Sequence, residues 1–92
     1  MMVRPAAFGW NPQTALTNRF QVAPPECDLQ SRAGGEFDGL AGALAAAGVE
    51  VHALADRIDP PCPDALFPNN WVTLHADGTA VLYPMLAPNR RL

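Results

Sequence analysis

The chain contains no lysine; six arginines carry all of its positive charge, against nine acidic residues, for a net charge of −3. With no basic stripe, that balance argues against a nucleic-acid partner and against a membrane surface. No run of 18 apolar residues occurs, so nothing reads as a membrane-spanning helix. The opening Met-Met-Val-Arg-Pro leads into a strand-like run rather than an apolar leader core, so no secretory signal and a cytoplasmic location are expected. Cysteine is scarce: only Cys27 and Cys62 occur, 35 residues apart. A disulfide between them stays open, although a lone pair in a cytosolic chain is expected to be reduced. With His52 and His75 they form no C-x2-C or H-x3-H spacing, so neither a metal nor a cofactor is called for. Repeats and low-complexity tracts are absent as well.

What remains suits one small domain. Ninety-two residues bury only about 60–65% of their unfolded surface, and an apolar content of 49% is ordinary for a globular chain. Met2 to Ala6 reads as a first strand, and Phe8-Gly9-Trp10-Asn11-Pro12 as a turn. Ala23-Pro24-Pro25-Glu26 is a rigid break, after which Asp28 can cap a helix. Gly34-Gly35 disfavours helix by roughly 1 kcal/mol per glycine, so the dependable helix is placed from Glu36. Its apolar stripe is Phe37, Leu40, Ala41, Leu44 and Ala45, and Gly48 ends it in a left-handed conformation. Val49 to Leu54 alternates as a second strand, with His52 on its exposed side.

The most informative stretch runs from Pro63 to His75. Pro68 fixes its own φ and pushes Phe67 toward extended geometry. Two neutral amides, Asn69 and Asn70, follow, and Trp71-Val72-Thr73-Leu74-His75 then alternates like a half-buried strand. A rigid turn thus brings two amides to the mouth of a strand, where ligand-reading residues are common. On residue chemistry alone the favoured role of the pair is to satisfy a turn. Asp77-Gly78 signals a two-residue type I′ hairpin, in which Leu74 opposes Val81 and Val72 opposes Tyr83. Thr73 then meets Leu82, and His75 meets Ala80. Apolar residues on both faces call for cover on both sides. The order is strand, helix, strand, hairpin, a β-rich α/β unit with a single helix and three or more strands.

Phe67-Pro68-Asn69-Asn70-Trp71, His75-Ala76-Asp77-Gly78 and Tyr83-Pro84-Met85 together resemble the citrulline-utilisation hydrolases. These belong to the superfamily of amidinotransferases, arginine deiminases and dimethylarginine dimethylaminohydrolases, the penteins. Arg4-Pro5, Phe8-Gly9-Trp10-Asn11, Thr14, Asn18, Phe20, Gln21 and Ala87-Pro88-Asn89-Arg90-Arg91 extend the resemblance over nearly the whole chain. It is weakest from Val22 to Gly35. The resemblance implies one α/β unit of a five-fold pseudo-symmetric propeller. Because full members are much longer, residues 1–92 are expected to be the N-terminal part of the domain.

The resemblance also implies the chemistry. A cysteine thiolate attacks the central carbon of a guanidinium or ureido group, with a histidine as general acid and base. Neither Cys27 nor Cys62 fits that nucleophile, which lies near the C-terminus of the full domain. The chain is therefore expected to hold no catalytic residue and to be inactive alone. Arginine-processing members place an aspartate three positions after a Phe or Trp, with an arginine just before the aspartate. Here Phe67 leads to Asn70, and Asn69 stands in the arginine's place. A carboxylate suits an all-donor guanidinium, whereas an amide can both give to and receive from a ureido group. The substrate expected is citrulline or a related ureido or guanidino amino acid, read by Asn70, Asn69 and Phe67. Arg90 or Arg91 is expected to clamp the α-carboxylate, or else the two form a solvated pair near the chain end. A homo-oligomer is compatible with this reading. Two others stay open: a non-catalytic binding module with the same fold unit, and a structural domain without this kinship.

Overall fold

Asp28 opens the longest element of the computed structural model, which describes residues 1–22 and 28–91. Its carboxylate accepts from the Ser31 backbone N–H at 3.0 Å and caps helix α2, Leu29–Ala46. The expected proline break and Cys27 lie outside the described residues. The helix begins well before Glu36 and runs straight through Gly34-Gly35, contrary to the propensity argument. Contacts with the first strand and its following loop outweigh propensity there. Gln30 donates to the Pro5 carbonyl at 2.8 Å and accepts from the Phe8 N–H at 2.7 Å. Gly34 is buried, and a Cβ on it would stand 3.6 Å from Nη2 of Arg4. The inward stripe accordingly includes Gly34, Phe37, Ala41 and Leu44, while Leu40 and Ala45 are exposed. At the far end Gly48 takes φ +83°. Gly48 N–H donates to Ala45 O and Val49 N–H to Leu44 O, both at 3.0 Å, the paired bonds of a Schellman turn.

This helix connects two parallel strands, β1 (Met2–Arg4) and β2 (Ala53–Ala55), with Val3 opposite Leu54. A crossover helix is what parallel pairing requires. Both strands are shorter than the alternation predicts. Pro5 offers no N–H to prolong β1, and ahead of Ala53 it is the His52 carbonyl that reaches β1, accepting from the Met2 N–H at 2.8 Å. Val3 and Phe37 are buried, at 8% and 6% exposure, and form a small core. A four-residue helix not foreseen in the sequence, α1 (Pro12–Ala15), follows the first loop and is capped by Asn11.

Tight turns through Cys62–Ala65 and Asp64–Phe67 lead to a 3-10 turn at Pro68–Asn70. Strands β3 (Val72–Leu74) and β4 (Ala80–Leu82) then form an antiparallel hairpin. Among the described residues the four strands pair two by two, each three residues long, so the unit is helix-rich rather than β-rich. The hairpin register differs by one residue from that expected: Val72 pairs with Leu82, Thr73 with Val81 and Leu74 with Ala80. The turn is the cause. Only Gly78 has positive φ, at +86°, so a type I′ turn, which needs two such residues, is not formed. Instead Gly78 N–H donates to His75 O at 3.0 Å and His75 N–H to Thr79 O at 2.9 Å. That is a three-residue loop with glycine in the left-handed position. The shift moves side chains between faces. Thr73, His75 and Tyr83 now share one face, with Thr73 Oγ1 3.1 Å from His75 Nε2 and 3.2 Å from the Tyr83 hydroxyl. Leu74 and Leu82 lie on the other, 64% and 71% exposed. Among the described residues no helix is long and apolar enough to cross a membrane.

Candidate functional site

Three segments distant in sequence meet in a polar cluster beside a cavity lined in part by Asp64, Asn89 and Arg90. Asn11, before α1, is fully buried, and its Nδ2 donates to Asp64 Oδ2 at 2.7 Å. Asn89 Nδ2 donates to Asn11 Oδ1 at 2.9 Å, and the return bond from Asn11 Nδ2 to Asn89 Oδ1 is 3.3 Å. Asn11 Oδ1 also accepts from the Gln13 N–H at 3.1 Å, and Gln13 Oε1 accepts from the Asn89 N–H at 3.0 Å. Asp64, 7% exposed, completes the set with an ion pair to Arg90, Nε to Oδ2 at 3.4 Å. Burying a carboxylate is tolerable only with partners of this kind, and here it has both an amide donor and a guanidinium. Among the described residues every buried side-chain nitrogen and oxygen has a hydrogen-bond partner.

The local sequence explains how each segment arrives. Asn11 before Pro12 is a helix start, with the amide as cap and proline at the first helical position. Asp64 sits in the stacked turns ahead of the 3-10 turn, where its carbonyl accepts from Phe67 N–H at 3.1 Å. Asn89 and Arg90 belong to a second 3-10 turn, Pro88–Arg90, started by Pro88. The Asn11-Pro12 start signal was available in the sequence. Nothing local marked Asp64 or Asn89 as its partners, because those pairings span 53 and 78 residues.

The cavity, about 860 Å³, has Asp64 and Arg90 at its polar end and an apolar wall that includes Leu54, Trp71, Leu82 and Met85. Arg91 and Cys62 also line it. The two arginines expected at the site are thereby distinguished. Arg90 is 18% exposed and held by Asp64, whereas Arg91 donates from Nε to Met85 O and from Nη2 to Leu86 O, both at 2.6 Å. Arg91 has its fork committed to the chain's own carbonyls. Phe67, Asn69 and Asn70 do not line the cavity. They sit at the 3-10 turn, with Phe67 40% exposed and both asparagines exposed. Neither asparagine side chain is hydrogen-bonded to another described residue, so the amides are not what closes the turn; the backbone bonds Asn70 N to Phe67 O and Trp71 N to Pro68 O close it.

No nucleophile–base pair forms among the described residues. His52 lies 3.0 Å from Glu50, His75 contacts Thr73, and the Cys62 thiol is 3.6 Å from the Pro60 carbonyl. Nor is any group of three His, Cys, Asp or Glu among them placed to hold a metal ion.

Residues 4–92 match the family model described as N,N dimethylarginine dimethylhydrolase, eukaryotic. No curated protein and no solved structure matches the chain. The match takes in Asn11, Asp64, the Asn69-Asn70 turn, the hairpin and Arg90 in one span, and the chain therefore belongs to that family of guanidino-compound hydrolases, within the pentein superfamily.

Proposed function

We propose that this chain is the N-terminal part of a cytoplasmic, cofactor-independent pentein hydrolase that acts on the ureido group of citrulline. The products are ornithine, ammonia and carbon dioxide, and the attacking cysteine and its histidine partner belong to the rest of the domain. Alone, residues 1–92 do not turn over substrate. The family match supports hydrolysis of a guanidino compound in general. The observation that carries the ureido assignment is the pair of exposed amides on the Pro68–Asn70 turn, unbonded to any other described residue. A cation with donors only has no use for their NH2 groups, whereas a ureido oxygen does. Phe67, one residue before the turn, packs beside the reacting end, and Arg90 takes the α-carboxylate, since Arg91 is committed to Met85 and Leu86.

The test is turnover by the full-length gene product with citrulline, arginine and N,N-dimethylarginine as separate substrates, with ornithine, citrulline and ammonia quantified. Release of ornithine and ammonia from citrulline, at higher kcat/KM than for either guanidinium substrate, is the expected result. Conversion of dimethylarginine to citrulline with citrulline itself untouched would reverse the assignment.

A further inference from the structure

We infer that the Tyr83 hydroxyl meets an N–H group of the substrate in the cavity, and that His75 sets its hydrogen-bond polarity through Thr73. The inference rests on the proposed reading of this cavity as the substrate site. The three side chains form a line on one face of the hairpin, His75 Nε2 to Thr73 Oγ1 at 3.1 Å and Thr73 Oγ1 to the Tyr83 hydroxyl at 3.2 Å. The backbone fixes both ends: His75 N–H donates to Thr79 O at 2.9 Å, and Tyr83 N–H to Trp71 O at 2.8 Å. His75 is exposed, Thr73 is half-buried, and Tyr83 lines the cavity. A hydroxyl owns one proton, so Thr73 donates to one neighbour at a time. With His75 neutral, the order phenol, alcohol, imidazole runs from the most acidic hydroxyl to the strongest base. Tyr83 then donates to Thr73, Thr73 donates to Nε2, and the phenol oxygen turns its lone pairs to the cavity. With His75 protonated, Nε2 can only donate. Thr73 accepts that charge-assisted bond and turns its own O–H to the Tyr83 oxygen, which releases the phenol O–H toward the cavity. Imidazole is the side chain whose charge changes between about pH 5 and 8, so an exposed histidine decides whether Tyr83 accepts or donates. An ammonium or ureido N–H is held in the first state and opposed in the second.

Few other charges bear on the line. Among the described residues no carboxylate pairs with His75, and Asp77 in the same loop accepts from the Thr79 N–H at 2.9 Å. The Pro68–Asn70 turn and β4, both packed against β3, carry no titratable side chain. On the cavity side Tyr83 shares the wall with Asp56, Arg57, Cys62, Asp64, Arg90 and Arg91. A comparison between wild type and Tyr83→Phe keeps all six and so isolates the phenol.

The relay is tested by NMR on the full-length gene product, isotope-labelled at tyrosine Cζ and histidine Cε1. The Tyr83 and His75 signals are identified by their loss in Tyr83→Phe and His75→Gln. The Tyr83 signal is expected to titrate with the midpoint of His75 in wild type and in Thr73→Ser, and to stay flat over that range in Thr73→Val and His75→Gln. His75→Gln, at an exposed position, decides the matter if Thr73→Val does not fold. A Tyr83 signal that is flat in wild type, or that titrates alike without the Thr73 hydroxyl or the imidazole, overturns the relay whatever the substrate. Kinetics tests the contact with substrate. Tyr83→Phe is expected to raise the citrulline KM about three- to tenfold at about pH 8, and the ratio to wild type to fall toward one at about pH 5.5. In a Thr73→Val background the same ratio does not vary with pH. An unchanged KM in Tyr83→Phe, or a ratio independent of pH with Thr73 present, overturns the role of Tyr83. If citrulline is not turned over, the ureido reading is what fails, and the ratio is read on whichever guanidinium substrate is turned over.

Discussion

Arg4 and Asp38 join the first strand to the long helix through two parallel bonds, Nε to Oδ1 at 3.0 Å and Nη2 to Oδ2 at 2.8 Å. This fork-to-fork geometry is the strong form of an ion pair, though the side chains are 50% and 58% exposed and solvent screens it. Hydrogen bonding from Arg4 holds the Asp38 carboxyl below the usual carboxylate range. The folded state therefore binds its proton less readily than the unfolded chain. The stabilisation is complete above the unfolded value, about 3.9, and disappears as the pH falls through the lower folded value. Asp28, bonded by Ser31, and Asp77, bonded chiefly by the Thr79 N–H, are lowered in the same direction. The expected outcome is a Tm gap between wild type and Asp38→Asn that is constant from neutral pH down to about 5 and closes below about 4. Thermal melts across pH, at low and at high salt, measure it; a gap that widens in acid contradicts the assignment.

Helix α2 carries glycines at Gly39 and Gly42 where an added Cβ meets nothing within 4 Å, and at its end Gly48 with φ +83°. Gly39→Ala and Gly42→Ala should each stabilise the chain by roughly 0.5–1 kcal/mol, because alanine surrenders less backbone entropy on forming helix. Gly48→Ala should destabilise it, since the Schellman turn needs the left-handed conformation that alanine resists. Urea unfolding of the three variants separates the two classes. A gain in stability at Gly48 would show that the turn is not held as described.

Much of this was legible from local chemistry. Asp28 as a cap, Gly48 as a left-handed stop and Gly78 as the turn glycine each follow from what one residue can do within a few positions. The errors arose where a distant residue overruled the local preference. Gly34-Gly35 reads as a helix breaker until the helix is seen tied on both sides of the pair, by Gln30 to the Pro5 carbonyl and by Asp38 to Arg4 of β1. One positive φ rather than two at Asp77-Gly78 moved the hairpin register by one residue, which put Tyr83 on the face of Thr73 and Leu82 on the face of Leu74. At the candidate site, the local motif drew attention to Asn69 and Asn70, which are exposed. Asn11 and Asp64 are the buried residues there, with Asn89 half-buried beside them, and only tertiary structure brings them together.

The hairpin's outer face gives a solution-state prediction. Leu74 and Leu82 are 64% and 71% exposed on a short two-stranded ladder, an arrangement prone to association through an uncovered apolar surface. With only Val3, Phe37 and Ala87 as buried apolar residues among those described, residues 1–92 alone should be marginally stable and self-associate as concentration rises. Replacing both leucines by threonine, which keeps strand propensity, should weaken that association. Sedimentation velocity over a concentration series reads this directly. A wild-type chain that stays monomeric and melts cooperatively would mean that it needs no covering partner.

Asn70 is the residue by which the proposed substrate class stands or falls. It closes the Pro68–Asn70 turn immediately ahead of Trp71 and β3, and the turn's backbone bonds hold it without using its side chain. Its amide can donate to a ureido oxygen and accept from the ureido NH2, so both groups are satisfied when the full domain closes around them. Asn70→Asp keeps the shape but sets an acceptor-only carboxylate against the ureido oxygen. A buried mismatch of that kind costs about 1–3 kcal/mol, and more where charge is involved. The expected result is a loss of roughly tenfold or more in kcat/KM for citrulline, with arginine turnover or binding held or raised. Turnover of both substrates by wild-type and Asn70→Asp full-length enzyme, with circular dichroism to establish folding, makes the comparison. Undiminished citrulline turnover in the folded variant would reduce Asn69 and Asn70 to turn residues and move the search for the ureido-reading group elsewhere in the domain.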